Sequence, residues 1–587
     1  MSDDMFDRGG AQDESATGSE SQRRSALVVA DARTSGGTRS DHVGVAHART
    51  PFAGRIRWVP VKPLSRRLLL VLFTVICSFA GVASPSFAGV TSADPGTGTL
   101  GHQGRFYTVN HQPAALLGLN MQELAANPQI DYVSVLNAMQ ANQVKMVGLW
   151  IYPAWQPAGY LQPWTYGVCA PGKFDLDSWN PAYWARLKAF VDAAQARGIY
   201  VGLSLFPSNY VDRTGWNSPS LSYAYNANYN CNGEFPTNTA GTFAPQFWNS
   251  DPLSEVHIRQ QQLVDKVLAT FPYSSYPNLF FEVANEFPGR NNAADPSGSN
   301  TQANPALPEW QNGWINYIKA NNPGRVVEAY AQTYVGTNTI GIENYWDQPN
   351  VDILNFHNTY ADGEGVAAQL DSIGANLKGK ILQDNETTGN EYGDVSYTDR
   401  STQRAWAWNI NLGYFQWYWD NSQLAVSPQG IEDPQFAAAL HRINVMADID
   451  NQVDWTDLSD QYNANVVQSP ASHYRLLANP TDHRALYYGW SSNLDQPLQI
   501  SLTSGGYLYQ WINPQDGSVL AKGLLFTSGG VNTIAQPSAW NTTAGVVLTA
   551  APATKDACKN GGWMTFARPT FDNQGACVSY VATGGTN

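Results

Sequence analysis

From about residue 105 to 451 the chain alternates strand-like runs with helix-like runs, and no other feature constrains its fold so tightly. Eight short apolar runs stand out. They are AALLGLN at 114–120, VKMVGLW at 144–150, IYVGLSLF at 199–206, NLFFEVA at 278–284, RVVEAY at 325–330, VDILNFH at 351–357, KILQDNE at 380–386 and GYFQWYW at 413–419. Between them lie amphipathic stretches such as PAYWARLKAFVDAAQARG at 181–198 and SEVHIRQQQLVDKVLATF at 254–271. Strand, crossover helix and parallel strand repeated eight times predict an α/β fold, a (β/α)8 TIM barrel spanning 105–454. Long insertions rich in Trp, Tyr, Asn, Pro and Gly follow the second, third and fourth runs, at roughly 151–180, 207–252 and 287–308. All three would rise from the C-terminal face of a barrel, where active sites form.

Beyond residue 455 the helical period fades. Short strands with turns, including Asp516-Gly517, predict a β-sandwich accessory domain over 455–550. Tyr507, Tyr509 and Trp511 alternate there, so they share one face, either as sandwich core or as a flat binding platform. A cysteine-containing tail, 551–587, ends the sequence.

The N-terminal portion carries different information. Residues 1–65 are polar, without apolar periodicity, and are expected to be disordered. At 66–88 paired arginines, an apolar run and a small residue two before Ala88 make a secretory signal peptide, with 89–104 as linker. Val61 is a candidate alternative start. Residues 1–88 hold 11 Lys+Arg against 8 Asp+Glu, a net of +3, so the rest of this chain of formal charge −14 carries −17. An acidic exported protein without a basic run argues against nucleic acid and anionic membrane as partners and suits a neutral polysaccharide. Twenty Trp and 29 Tyr supply flat rings of the kind that stack on sugars. Four cysteines remain beyond the signal, and an even number in an exported chain points to disulfides. Of the three possible pairings, Cys169 with Cys231 and Cys558 with Cys577 are expected. Their spacings do not fit a zinc site, and neither metal nor cofactor is expected.

The chemistry is concentrated at two strand ends. FEVANEF at 281–287 ends a run on Asn285-Glu286, and KGKILQDNE at 378–386 ends another on Glu386. Carboxylates on two barrel strands can flank one sugar ring. A retaining glycosidase needs them about 5–5.5 Å apart, one as acid/base and one as nucleophile. Glu286 is the expected acid/base, Glu386 the nucleophile, and Asp384, one layer deeper, the rival nucleophile. Strict alternation puts Glu282, Ala284 and Glu286 on one face, and Leu382, Asp384 and Glu386 on one face. Asn285 would then need a bulge or bend to reach the mouth. Glu282 would sit deep in the barrel and need a partner, for which Lys145 is a candidate.

The combination of FEVANEF, His357 in NFHNTY, Glu386 and the aromatic run GYFQWYW resembles glycoside hydrolase clan A, nearest family 5, over about 350 residues. The resemblance implies a sugar 2-OH contact for Asn285 and a substrate-supporting histidine at His357. It also implies a stacking tryptophan at Trp417, with Trp419 as rival. Tyr360 stands three residues after His357, where the family often has His-x-Tyr. The family's strand-2 arginine is replaced by Lys145 and its strand-3 histidine by a residue near Phe206. Trp150, at the tip of the second strand, is either a substrate-binding wall or core. The expected protein is a secreted, periplasmic or cell-surface monomer that acts on an oligo- or polysaccharide. The competing reading is a non-catalytic carbohydrate-binding or cell-wall protein built on the same barrel.

Overall fold

The computed structural model describes residues 98–585 apart from 152–158, 208–223, 226–228, 234–247, 286–305, 332–343, 356, 358–362, 375–377, 391–394, 420–433, 491–495, 539–542 and 567–568. The expected polar extension and signal segment, Glu286 and Tyr360 lie outside the described residues.

A small antiparallel sheet comes first: β1 (Leu100–Gln103), β2 (Phe106–Val109) and β3 (Gln112–Pro113). Leu100 to Gln103 thus form a strand within the stretch expected as linker. The Leu100 amide donates to the Pro277 carbonyl, and Arg105 donates to the Asn411 carbonyl. Both acceptors precede barrel strands, so the sheet closes the barrel's N-terminal end.

The barrel strands follow: β4 (Gly118–Asn120), β5 (Met146–Trp150), then, after an inserted hairpin of β6 (Trp164–Tyr166) and β7 (Phe174–Trp179), β8 (Tyr200–Pro207). The remainder are β9 (Leu279–Asn285), β10 (Val326–Tyr330), β11 (Ile353–Asn355), β12 (Ile381–Asn390) and β13 (Tyr414–Trp419). Eight of these close a barrel in the order β10-β11-β12-β13-β4-β5-β8-β9, and every pairing is parallel. Each of the eight strand-like runs supplies one barrel strand.

The helices start where the sequence supplies caps. Asp131 accepts from the amides of Val133 and Ser134 to open Tyr132–Ala141. Asn180 caps Pro181–Gln195, with a proline in its first turn, and Ser254 caps Glu255–Thr270. These side chains satisfy amides that a helix start leaves without intrahelical partners. Glycines let polar side chains cross the barrel: a Cβ on Gly148 would strike Gln416 Oε1.

The C-terminal region is a sandwich. Its larger sheet has the order β14 (Ser459–Asp460), β16 (Tyr474–Asn479), β17 (Arg484–Gly489), β22 (Ala544–Ala550), β19 (Gly505–Ile512), β20 (Val519–Thr527). The smaller has β15 (Val466–Gln468), β18 (Leu498–Leu502) and β21 (Gly530–Ile534). The central strands of the larger sheet, β16, β17 and β22, are buried on both faces. Leu476, Tyr487, Trp511, Val546 and Leu548 pack into the inter-sheet core. Their alternates Leu477, Leu486, Tyr488, Ile512 and Val547 join the barrel's core. At that seam Trp406 stacks on Tyr488 at 5.3 Å and donates its indole N–H to the Pro514 carbonyl. Tyr507 and Trp511 are buried, so the shared aromatic face is sandwich core rather than a platform.

Both expected disulfides are present. Cys169–Cys231 has its Cα atoms 6.4 Å apart, and Cys558–Cys577 has them 5.6 Å apart. The first ties the β6–β7 insertion to the one after β8, where the Phe174 amide also donates to Tyr229 and the Cys231 amide to Phe174.

Candidate active site

Glu386 lies on β12 at the C-terminal mouth of the barrel, with its side chain 14% exposed. Its Oε1 accepts from Asn285 Nδ2 at 2.6 Å, across from the end of β9, and from Gln122 Nε2 at 2.9 Å, just past β4. Its Oε2 lies 3.5 Å from His357 Nδ1. Three strand ends therefore converge on one carboxylate.

Local geometry explains how Glu386 comes to face this way. Gln383 and Asn385 line the interior, so regular alternation would send Glu386 outward. The β12–β13 register instead shifts between Asp384 and Thr387: three steps on β12 oppose two on β13, from Phe415 to Trp417. That extra residue is a β-bulge, and such bulges re-aim side chains beside functional sites. Asp384 Oδ1 accepts the Glu386 amide at 3.0 Å within it. One expectation is corrected here. Glu386 reaches the mouth through a bulge, not by sharing a regular face with Leu382 and Asp384. The β8–β9 register runs unshifted to Pro207↔Asn285, so no bulge lies there, yet Asn285, three residues beyond inward-facing Glu282, still turns to Glu386, as the bend expected at that strand end would allow. Asp384, the expected rival nucleophile, sits on the opposite face from Gln383 and Asn385 and braces the bulge.

Below Glu386 is a buried layer of amides and carboxylates. Asn385 Nδ2 donates to Glu282 Oε1 at 2.9 Å and to Glu328 Oε1 at 3.3 Å. Its Oδ1 faces His357 Nε2 at 2.8 Å. Asn355 accepts the Asn385 backbone amide and donates to Glu282 Oε1 at 3.0 Å. Gln383 accepts from the Tyr107 hydroxyl at 2.6 Å and donates to Glu328 Oε2 at 3.0 Å. Asn120 donates to the Asn385 carbonyl at 2.7 Å. Burial pushes the Glu282 carboxyl up to about 7, against hydrogen bonds from Ser204, Asn385 and Asn355. Burial pushes Glu328 well above the usual carboxylate range, and the neighbouring charge of Glu282 pushes it further. Lys145 is not the partner of Glu282. Trp150 is level with Ser204, and Ser204 with Glu282, so Lys145 lies five residues lower, roughly 16 Å along the strand.

His357 fits the expected place beside the carboxylate, and its ring meets Tyr330 edge-on at 4.9 Å. Trp150 shares the inward face of β5 with Gly148 and is 3% exposed, at the wall of the mouth. Trp417 does not take the position expected of it. Gln416 points inward against β4 and β5, so Trp417 shares the outward face with its register partner Leu119 and is 2% exposed. The inward position at that end of β13 is Tyr418, level with Asn120. Gln122, Asn355, Glu328 and Asn385 escaped the sequence reading. One signal was available for Asn385: the Asn285-Glu286 pair of the sequence recurs as Asn385-Glu386.

The fold as a whole is that of known glycoside hydrolases. A glycoside hydrolase family 5 structure from Bacteroides vulgatus superposes with a TM-score of 0.52 at 10% identity, over 77% of this chain and 93% of that one. A second structure, described as a glycoside hydrolase, gives 0.51 at 11% identity over 77% and 97%. Neither the family models nor the curated proteins provide a match. The class defined is thus a (β/α)8 barrel, carrying an additional C-terminal sheet domain.

Proposed function

We propose that this protein is a secreted retaining β-glycosidase that hydrolyses the O-glycosidic bonds of a β-linked glycan. The observation that carries the reading is the carboxylate of Glu386, raised into the barrel mouth and held at one oxygen by Asn285 and Gln122. Such bonds fix its orientation and favour its ionised form, as an attacking nucleophile requires. Glu286, next after the last residue of β9, is the proposed acid/base, initially protonated by the nearby negative charge. Asn285 would pass from Glu386 to the sugar 2-OH as substrate arrives, and His357, Trp150 and Tyr360 would line the same ring. The two disulfides suit an oxidising compartment.

The test is chemical rescue. Pure Glu386→Gly should fail on a panel of activated aryl β-glycosides, and added azide should restore turnover with a glycosyl azide of inverted configuration. Glu286→Ala should still complete its first step on good leaving groups and fail on poor ones. Rescue of Glu386→Gly with retention, or identical leaving-group profiles for the two variants, would reverse or remove the assignment.

A further inference from the structure

We propose that Glu282 and Glu328 hold a single proton between them, and that this acid pair, acting through Asn385, fixes His357 as an Nε2–H donor whose Nδ1 faces Glu386. The two glutamates are register partners on adjacent parallel strands, so their backbones are about 4.8 Å apart. Both are buried, and one amide nitrogen serves both. Their hydrogen-bond donors are neutral: Asn355, Asn385 and Ser204 for Glu282, Gln383 and Asn385 for Glu328. Two like charges so placed do not both ionise. Glu328 receives fewer close donors than Glu282, so the proton sits mainly on Glu328.

The amide orientations follow from donors that cannot be reversed. The Asn385 backbone N–H must donate, so Asn355 presents Oδ1 to it and Nδ2 to Glu282. Asn385 turns its own Nδ2 toward the two carboxyls, which leaves Oδ1 for His357. An amide oxygen only accepts, so His357 Nε2 carries hydrogen. Its other nitrogen, 3.5 Å from Glu386, donates to that carboxylate only when the ring is imidazolium. His357 is a positioning residue in this scheme, and Asn385 sets its tautomer.

The ionisable groups facing the pair are His357 on the segment after β11, Glu386 on β12 and Tyr107 on β2. Tyr107 is itself raised by burial and by the charge of Glu328. The sign of the stability effect follows. The folded pair holds on Glu328 a proton that the unfolded chain releases in the ordinary glutamate range, so the stability it contributes, full below that range, is lost as pH rises from there through the raised folded value of Glu328. Glu328→Gln keeps the shape and removes the ionisation, and should flatten that fall.

The experiment is an infrared pH titration of the full chain, with nitrogen NMR of its histidines assigned through His357→Gln. In the wild type at neutral pH one un-ionised carboxyl band should disappear on Glu328→Gln. It should remain on Asp450→Asn, which removes another buried acid, one hydrogen-bonded to Asn409 and likewise raised by burial. In Glu282→Gln, which serves if Glu328→Gln does not fold, the remaining carboxyl should ionise at lower pH than the pair. His357 should be protonated at Nε2 in its neutral form, and Asn385→Ala should mix the two tautomers. Identical spectra for wild type and Glu328→Gln, an unshifted titration in Glu282→Gln, or a neutral His357 protonated at Nδ1 would each overturn the proposal. None of these readouts uses turnover, so they stand or fall separately from the glycosidase reading.

Discussion

The barrel's upper interior and the central strands of the sandwich's larger sheet are both buried, and they are filled in opposite ways. Across the sheet, successive residues of β16, β17 and β22 go to two apolar cores, so Leu476 and Leu477 both meet hydrocarbon. Across the barrel's upper interior, the inward positions of β9 to β12 include Glu282, Glu328, Asn355, Gln383 and Asn385, all buried. Burying amides and carboxyls costs free energy unless each finds a partner, so the second arrangement is a poor way to make a stable core. Its partners are oriented in sequence from Tyr107 up to His357 and Glu386. The contrast teaches where each region's burial is directed, the sheet's to cohesion and the barrel's to holding one carboxylate in one orientation.

Substitutions can break that contrast. The largest expected effect is Glu386→Gly, which should lower kcat by about 10⁴-fold or more while leaving the melting temperature close to wild type. A large loss of stability instead would mean that Glu386 is structural. Next comes Trp511→Ala in the inter-sheet core. It should destabilise the protein by about 3–5 kcal/mol in denaturant titrations, without changing kcat of the folded fraction. A changed kcat would show that the sandwich acts on the site. Smaller still is Gln122→Ala, which removes one charge-assisted bond to Glu386. It should lower kcat/KM by about 10- to 100-fold with little effect on folding, measured on the best aryl glycoside found.

The barrel was legible in the sequence because its strands are apolar runs, most of them separated by amphipathic helices, three of which open on Asp131, Asn180 and Ser254 caps. All eight runs are found, and Pro181–Gln195 begins where Asn180 and Pro181 signal it. The two disulfides were legible from their count and placement. The facing of side chains at the mouth was less so. A bulge adds one residue to a strand without leaving a mark in hydrophobic period, and it moved Glu386 relative to Asp384. Trp417 was misplaced because an aromatic run gives no alternation from which to read inside and outside. The amide layer was hidden for a related reason. Asn, Gln and Glu inside strands look like polar outward positions, and only the closed barrel turns them toward one another.

The assignment of Glu386 as the attacking carboxylate is tested most directly by trapping it. The full chain is incubated with activated 2-fluoro β-glycosides of sugars it turns over, digested, and mapped by mass spectrometry. A covalent glycosyl adduct on Glu386, absent from Glu386→Gln, is the predicted result. An adduct on another carboxylate such as Asp384, or hydrolysis of the parent substrates with inverted configuration, would contradict it.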